Sequence, residues 1–213
     1  MAYDFITVNT DYIQYGSAAV SAYPFTMACW VWPDTLTTFR TALALGPQSA
    51  AAVTQRIGVN STSVTAQSES TTAVASAVSS AAPTTGRWNH IAGVFTSATS
   101  RAAYLDGGNK GTETVTNATF STALNRTLIG IRLRSNTYAQ GMDGKIAECA
   151  IWNIDLTDNE IYSLSRGLRA NLVRPQNLKF YSPIIRSTHD VAGALVPTTN
   201  GTPAVFQHPR RYG

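Results

Sequence analysis

Apolar and polar residues alternate along this chain in short runs that stop at proline, glycine, asparagine or aspartate, a two-residue period that marks strands rather than helices. The clearest run covers residues 25 to 32, with Pro24 before it and Pro33-Asp34 after it; proline cannot donate to a ladder and so punctuates it. Residues 3 to 8 and 12 to 15 read as a hairpin around Asn9-Thr10-Asp11, and residues 40 to 45 and 54 to 59 as a second pair joined across Gly46-Pro47. Between residues 60 and 85 Ser, Thr and Ala dominate. Val64 and Ala66, then Val74, Ser76 and Val78, still keep a period of two, so thin, mostly exposed strands are expected there rather than a linker. Residues 88 to 96 and 101 to 106 follow, the latter running into Asp106-Gly107-Gly108-Asn109, a turn whose glycines admit positive φ. Further strands are predicted at 113 to 116, 127 to 133 and 145 to 152.

One segment breaks the period. Thr157-Asp158-Asn159-Glu160 is a capping box, Ile161, Leu164 and Leu168 recur on one helical face, and Gly167 is placed to end the helix. Beyond it one more strand is predicted at 178 to 181, and then Pro183, Pro197, Pro203 and Pro209 interrupt a segment of little periodicity. Strands recurring at roughly eight to twelve residues leave no room for long helices and fit a sandwich. The expected fold class is therefore all-β: a two-sheet antiparallel β-sandwich over residues 1–168 with one short helix, then an irregular C-terminal extension over residues 169–213 packed on the body or on neighbouring chains. Truncation after residue 168 is expected to leave a folded sandwich.

With 44% apolar and 13% charged residues the chain has the means to build a substantial core. It has no long apolar run, and its start, Met-Ala-Tyr-Asp-Phe, carries neither a basic region nor an apolar block, so no membrane partner and no secretory signal are expected. Charge is unevenly spread: residues 1–160 hold 9 Lys/Arg against 11 Asp/Glu, net −2, whereas residues 161–213 hold 7 Lys/Arg against Asp190 alone, net +6. Such a tail is either a solvated surface or one that docks on an acidic partner through Arg169, Arg174, Arg186, Arg210 and Arg211. Its basic residues are dispersed rather than interleaved with aromatics on one element, which disfavours nucleic acid. Cys29 and Cys149 allow at most one bridge, and two reduced, buried thiols are expected.

Four spaced segments carry a family resemblance: Phe25-Thr26 with Trp30-Val31 and Pro33; Trp88-Asn89-His90-Ile91-Ala92; Tyr104-Leu105-Asp106-Gly107; and Gly144 to Trp152, running into the capped helix. In that order they resemble the laminin-G-like, pentraxin-like branch of the concanavalin A-like lectin/glucanase superfamily. The resemblance implies a jelly roll with a recognition role, and it implies that Trp30, Trp88 and Trp152 are buried sandwich aromatics. Pentraxins pair a cysteine on the strand of Cys29 with one on the strand of residues 88 to 95, where this chain has Ala92, so that pairing does not carry over.

Glycoside hydrolases of this architecture place two carboxylates on one strand face as E-x-D-x-E or E-x-D-x-x-E, one to protonate and one to attack. Here Glu148 is the only acid between residues 145 and 152, and Thr188-His189-Asp190 has no serine elbow to partner it, so no enzyme is expected. Calcium, which pentraxins and many laminin G modules bind, needs several converging oxygens; Asp34, Asp106, Asn109 and Asp143 sit in separate turns, and neither metal nor cofactor is expected. Arg132, Arg134, Asn136 and Tyr138 form a polar, aromatic loop suited to stack on or hydrogen-bond a sugar, though solvent-exposed turn chemistry accounts for them equally well.

The tail carries a second resemblance, to bacteriophage-encoded proteins with this sandwich, which often end with an Asn-Gly-x-x-x-Val segment and a terminal His-Pro-Arg followed by an aromatic-Gly. Asn200 to Val205 and His208 to Gly213 match it. It implies a non-enzymatic virion structural component, such as a capsid decoration, head-fibre or tail-associated protein. Such a protein is made in the host cytoplasm, is localised to the virion, assembles with other virion proteins and copies of itself, and has a host glycan as a further partner. The alternative is a soluble carbohydrate-binding module.

Overall fold

The computed structural model describes residues 2–6, 10–48, 54–70, 73–116, 118–120, 123–185 and 187–209. In chain order they form β1 (Ala2–Phe5), β2 (Tyr12–Tyr15), β3 (Phe25–Pro33), β4 (Arg40–Gly46), β5 (Thr54–Val59), β6 (Val64–Glu69), β7 (Val74–Val78), β8 (Asn89–Ser97), β9 (Ser100–Leu105), β10 (Gly108–Glu113), β11 (Arg126–Ile129), β12 (Arg132–Arg134), β13 (Thr137–Ala139), β14 (Gly144–Trp152), α1 (Asp158–Ser165), β15 (Leu178–Ser182), β16 (Pro197–Asn200) and β17 (Ala204–Phe206). The first sheet runs β10-β9-β8-β3-β14-β1-β17, with β15 also on β14; the second runs β16-β2-β11-β4-β5-β6-β7; β12 and β13 pair only with each other. All pairings are antiparallel, so the all-β, two-sheet sandwich with one short helix is the observed architecture.

Alternation builds the core. Phe25, Met27, Cys29 and Val31 of β3 and Ile91 and Phe95 of β8 pack with Leu43, Leu45, Ile57, Val59 and Val64 of the opposite sheet. Phe25 and Phe95 stack at 4.5 Å. Opposite Met27, Gly93 leaves room for the facing sheet, since a Cβ there would come within 2.5 Å of Ile57 Cγ2 and 2.9 Å of Ala66 Cβ. The capping box forms as expected, with Glu160 N donating to Thr157 Oγ1 at 3.3 Å and Thr157 N to Glu160 Oε2 at 2.9 Å, and α1 buries Ile161 and Leu164 on the outer face of the first sheet. Cys29 and Cys149 are free and buried on neighbouring strands; burial and the adjacent Cys29 push the Cys149 thiol up.

Several strands differ from expectation. The opening hairpin does not form: β1 joins the first sheet and β2 the second, because Phe5 and Ile13 both enter the core and the chain crosses between sheets to place them. In β7 the alternation is inverted, with Val74 and Val78 54% and 50% exposed while Ala75 and Ala77 are buried. A Cβ on Gly111 of β10 would come within 1.6 Å of the Val78 carbonyl oxygen, so β10 lies close against the end of β7 at this edge. Strand β10 starts five residues earlier than predicted, because Asp106 and Gly107 (φ 53° and 77°) turn the chain in two residues. The run at 127 to 133 breaks at Gly130 (φ 81°) into β11 and β12.

The tail is not irregular throughout. Besides the expected β15, β16 adds to β2 and β17 adds to β1, one on each sheet. Neither shows in the sequence, because they are short edge strands whose side chains are mostly solvated and need no alternation. Asp190, the tail's single acid, organises the loop before them by accepting the amides of Tyr181 (2.9 Å), Ala192 (3.0 Å), Gly193 (3.0 Å) and Leu195 (3.1 Å).

Phe180 and Ile184 are wholly buried in the main core. Deleting the residues after 168 is therefore predicted to unfold the sandwich, contrary to the sequence-based expectation, and Phe180→Ala in the full chain to lower stability by about 3–5 kcal/mol, read by urea denaturation. A second prediction concerns His90 beneath the outer face, which burial holds at a pKa of about 3 against an ordinary 6.5. Because the depressed value favours the neutral ring, this contribution is complete above the ordinary value and is lost as pH falls through the interval, by about 1.4 kcal/mol per pH unit. Wild type should lose roughly 2 kcal/mol more between pH 7 and 5 than His90→Gln; equal losses in the two proteins would refute it.

Candidate functional site

The polar loop expected at residues 132 to 138 is a hairpin. Ser135 and Asn136, both with positive φ (48° and 59°), turn β12 into β13, and the hairpin lies over the outer face of the second sheet. Its apolar side anchors it: Leu133 and the preceding Ile131 pack on Ala44 of β4 and Leu128 of β11. Above β5 and β6 the same hairpin meets a group of charges.

Arg56 of β5 and Glu69 of β6 point outward from the sheet and are buried beneath the hairpin, 4% and 5% exposed. Arg134 Nη1 lies 2.5 Å from Glu69 Oε1, and Arg56 Nη2 lies 3.8 Å from Glu69 Oε2. The Arg56 guanidinium also donates to Gln67 and to Gln140, and it lies 4.9 Å from the Phe39 ring centroid. Arg132 completes the group: burial and the neighbouring Arg134 lower its pKa, Glu69 opposes the shift, and its buried Nε has no partner among the described residues. Desolvation first, and then the Arg132 charge, bring Arg56 down to about 9. Two guanidiniums thus contact one carboxylate and a third, Arg132, feels its charge without touching it, a surplus of two positive charges in a partly desolvated setting.

The four residues singled out from the sequence are only partly brought together. Arg132 and Arg134 join this cluster. Tyr138 instead stacks on Tyr12 of β2 at 4.7 Å and donates to Gln14 Oε1 at 2.8 Å, above strands that lie four sheet positions, roughly 19 Å, from β6. Asn136 is exposed at the turn. Arg56, Glu69, Gln67 and Gln140 were missed, although one signal was present: Glu69 is the only acid between Asp34 and Asp106. Of the tail arginines, Arg174 pairs with Glu160 at 2.5 Å, Arg169 precedes a short turn at residues 170–172, and Arg186, Arg210 and Arg211 lie outside the described residues. The acids weighed for calcium serve other partners: Asp106 Oδ1 accepts from His90 N at 2.8 Å, Asp34 holds Lys145 at 2.6 Å, and Asp143 accepts from Thr35 at 2.5 Å.

The two-sheet antiparallel sandwich has the architecture of a concanavalin A-like jelly roll. The sequence profile of the Concanavalin A-like lectin/glucanases superfamily (Laminin_G_3) matches residues 7–162, and the chain belongs to that family. Among solved structures, the native heptameric SAP-like pentraxin of Limulus polyphemus is similar, with a TM-score of 0.64 at 12% identity over 93% of each chain. The CBM40 of the Ruminococcus gnavus IT-sialidase bound to α2,6 sialyllactose is similar with a TM-score of 0.60 at 13% identity, covering 78% of this chain and 97% of that one. The enzymatically active domain of bacteriophage CBA120 tailspike protein 2 has a TM-score of 0.55 at 16% identity, covering 88% of this chain and 32% of that one. No curated protein sequence matches significantly.

Replacing Glu69 by Gln leaves Arg56 buried beside two other cations. The substitution is predicted to destabilise the fold by about 3–5 kcal/mol, and adding Arg56→Met to recover most of the loss; urea denaturation of the two variants checks both signs.

Proposed function

We propose that this chain is a non-enzymatic carbohydrate-binding module that takes an acidic glycan on the outer face of its second sheet. The observation that carries the reading is the gathering of three arginines around Glu69, with Arg56 and Arg134 in contact with it and Arg132 within its electrostatic influence. A planar guanidinium fork matches a carboxylate in two parallel hydrogen bonds, so a sugar carboxylate is the group that would engage Arg132 and Arg134 and offset the surplus charge. The sialyllactose bound by the similar Ruminococcus gnavus CBM40 supports this ligand class. The non-catalytic part rests on the acids: Glu69 is held by arginines, and Glu148 by Tyr181 at 2.5 Å and His208 at 2.9 Å on the other sheet, so the two do not flank a common cleft.

Calorimetric titration of the intact protein with sialyllactose and with lactose tests the reading. Sialyllactose should bind, Arg134→Ala should weaken it about tenfold or more, and the affinity should fall as added salt shortens the screening length from about 10 Å to about 3 Å. Equal affinity for both sugars in wild type and variant would overturn it.

A second reading places this module on a virion, as a capsid decoration, head-fibre or tail-associated protein. The similarity to the bacteriophage tailspike domain supports it, and the heptameric state of the similar pentraxin supports assembly with further copies. Mass spectrometry of purified particles would find the chain in stoichiometric amount; its absence there would leave the soluble module.

A further inference from the structure

The outer face of the first sheet is divided. Over Ala28, Ala92, Val94, Ala150 and Trp152 it is covered by α1 and the turn after it, and Trp152 is fully buried with Nε1 donating to Val173 O at 2.8 Å. Toward the other end of β3 and β8 that cover stops, and Trp30, Trp32 and Trp88 stand partly exposed, correcting the expectation that Trp30 and Trp88 are buried aromatics. Trp32 lies edge-to-face with Trp88 at 6.0 Å and with Phe206 of β17 at 5.5 Å, so the rings form a corrugated floor. Packing explains part of this surface, but it does not explain the donors. None of the three indole N–H groups has a hydrogen-bond partner among the described residues, and none is sealed from solvent.

Two further observations say what such a floor would hold. Beside Trp30 lies a hollow of about 10 Å³, lined by His90, Glu148 and the end of α1, with room for one hydroxyl-sized group. His90 is 2% exposed, sits edge-on to Trp30 at 5.3 Å, and its buried Nδ1 has no partner. The nearby charges, moreover, are already matched: Lys145 Nζ is 2.6 Å from Asp34 and 3.4 Å from Asp4 and lies over the Phe206 ring at 5.0 Å. No surplus positive charge is offered here, unlike on the opposite sheet.

We propose that Trp30, Trp32, Trp88 and Phe206 form a second binding site, specific for neutral pyranose glycans. Ring faces take the C–H surface of a sugar, the free indole N–H groups donate to its oxygens, and the hollow beside His90 receives one hydroxyl group. The site shares no residue with the arginine cluster and stands or falls independently of it. With both, the module would bridge an acidic and a neutral glycan across its thickness.

The test is a nitrogen-15 NMR titration of the intact protein with a neutral panel of maltotriose, cellotriose, laminaritriose, xylotriose and lactose, each to about 10 mM, well above a dissociation constant of about 1 mM. At least one sugar should move the indole N–H signals of Trp30, Trp32 and Trp88 and leave that of the buried Trp152 in place. Trp88→Ala, just outside β8, should weaken that sugar about tenfold, whereas Arg134→Ala should leave it unchanged. Failure of every sugar to move an indole signal would overturn the proposal. So would a movement that Trp88→Ala leaves untouched, or a floor whose Trp32→Ala substitution changes only the oligomeric state, which would make it a contact between copies.

Discussion

Strand β14 is the constraint on which the rest of the molecule depends. It holds β3 along one side for its whole length, and on the other side it must serve two neighbours, β1 over Gly144 to Ile146 and β15 over Cys149 to Trp152. The exchange is made at one bulge: Ala147 faces Trp30 and Ala150 faces Ala28, so Glu148 and Cys149 together oppose Cys29. Glu148 takes φ 55° to do this, a conformation that strains a side chain by about 1–3 kcal/mol unless its surroundings fix it. Tyr181 and His208 grip its carboxylate, and both come from the tail that the bulge admits to the sheet. Geometry and contacts therefore support each other at this point.

How much of this was legible depended on whether a segment needed a pattern to do its work. Strands buried along most of their length, such as β3, β8 and β14, show it as apolar runs between turn residues and were read correctly, and so was the helix, because its first turn needs side-chain acceptors that the capping box displays. Edge strands β16 and β17 are fixed by partners already in place and bear no such signature. In β7 the alternation was visible, but which face entered the core depended on the approach of β10, a distance that no local sequence encodes. The charged site was half legible for the same reason. Arg132 and Arg134 announce themselves within three residues, whereas Arg56 and Glu69 become their neighbours only through the pairing of β5 with β6 beneath the hairpin.

Summed charge proved a poor guide to where charge acts. The basic excess of the last fifty residues is spread along turns and paired where the partner is seen, as with Arg174 and Glu160, while the densest cationic group lies in the part of the chain whose net charge is negative. Local composition sets solubility; only the fold sets potential.

The pairing of β17 with β1 and of β16 with β2 has a consequence for how the chain comes to be folded. Ala2 meets Phe206 and Tyr12 meets Asn200, so both early strands wait for partners that are made much later. Contacts so distant in sequence close slowly, because the entropy of a very long loop must be overcome before they contribute. Until then β1 and β2 each present an unpaired edge to other chains, and a nascent chain stalled before residue 197 would be most vulnerable to pairing with a neighbour on the same message.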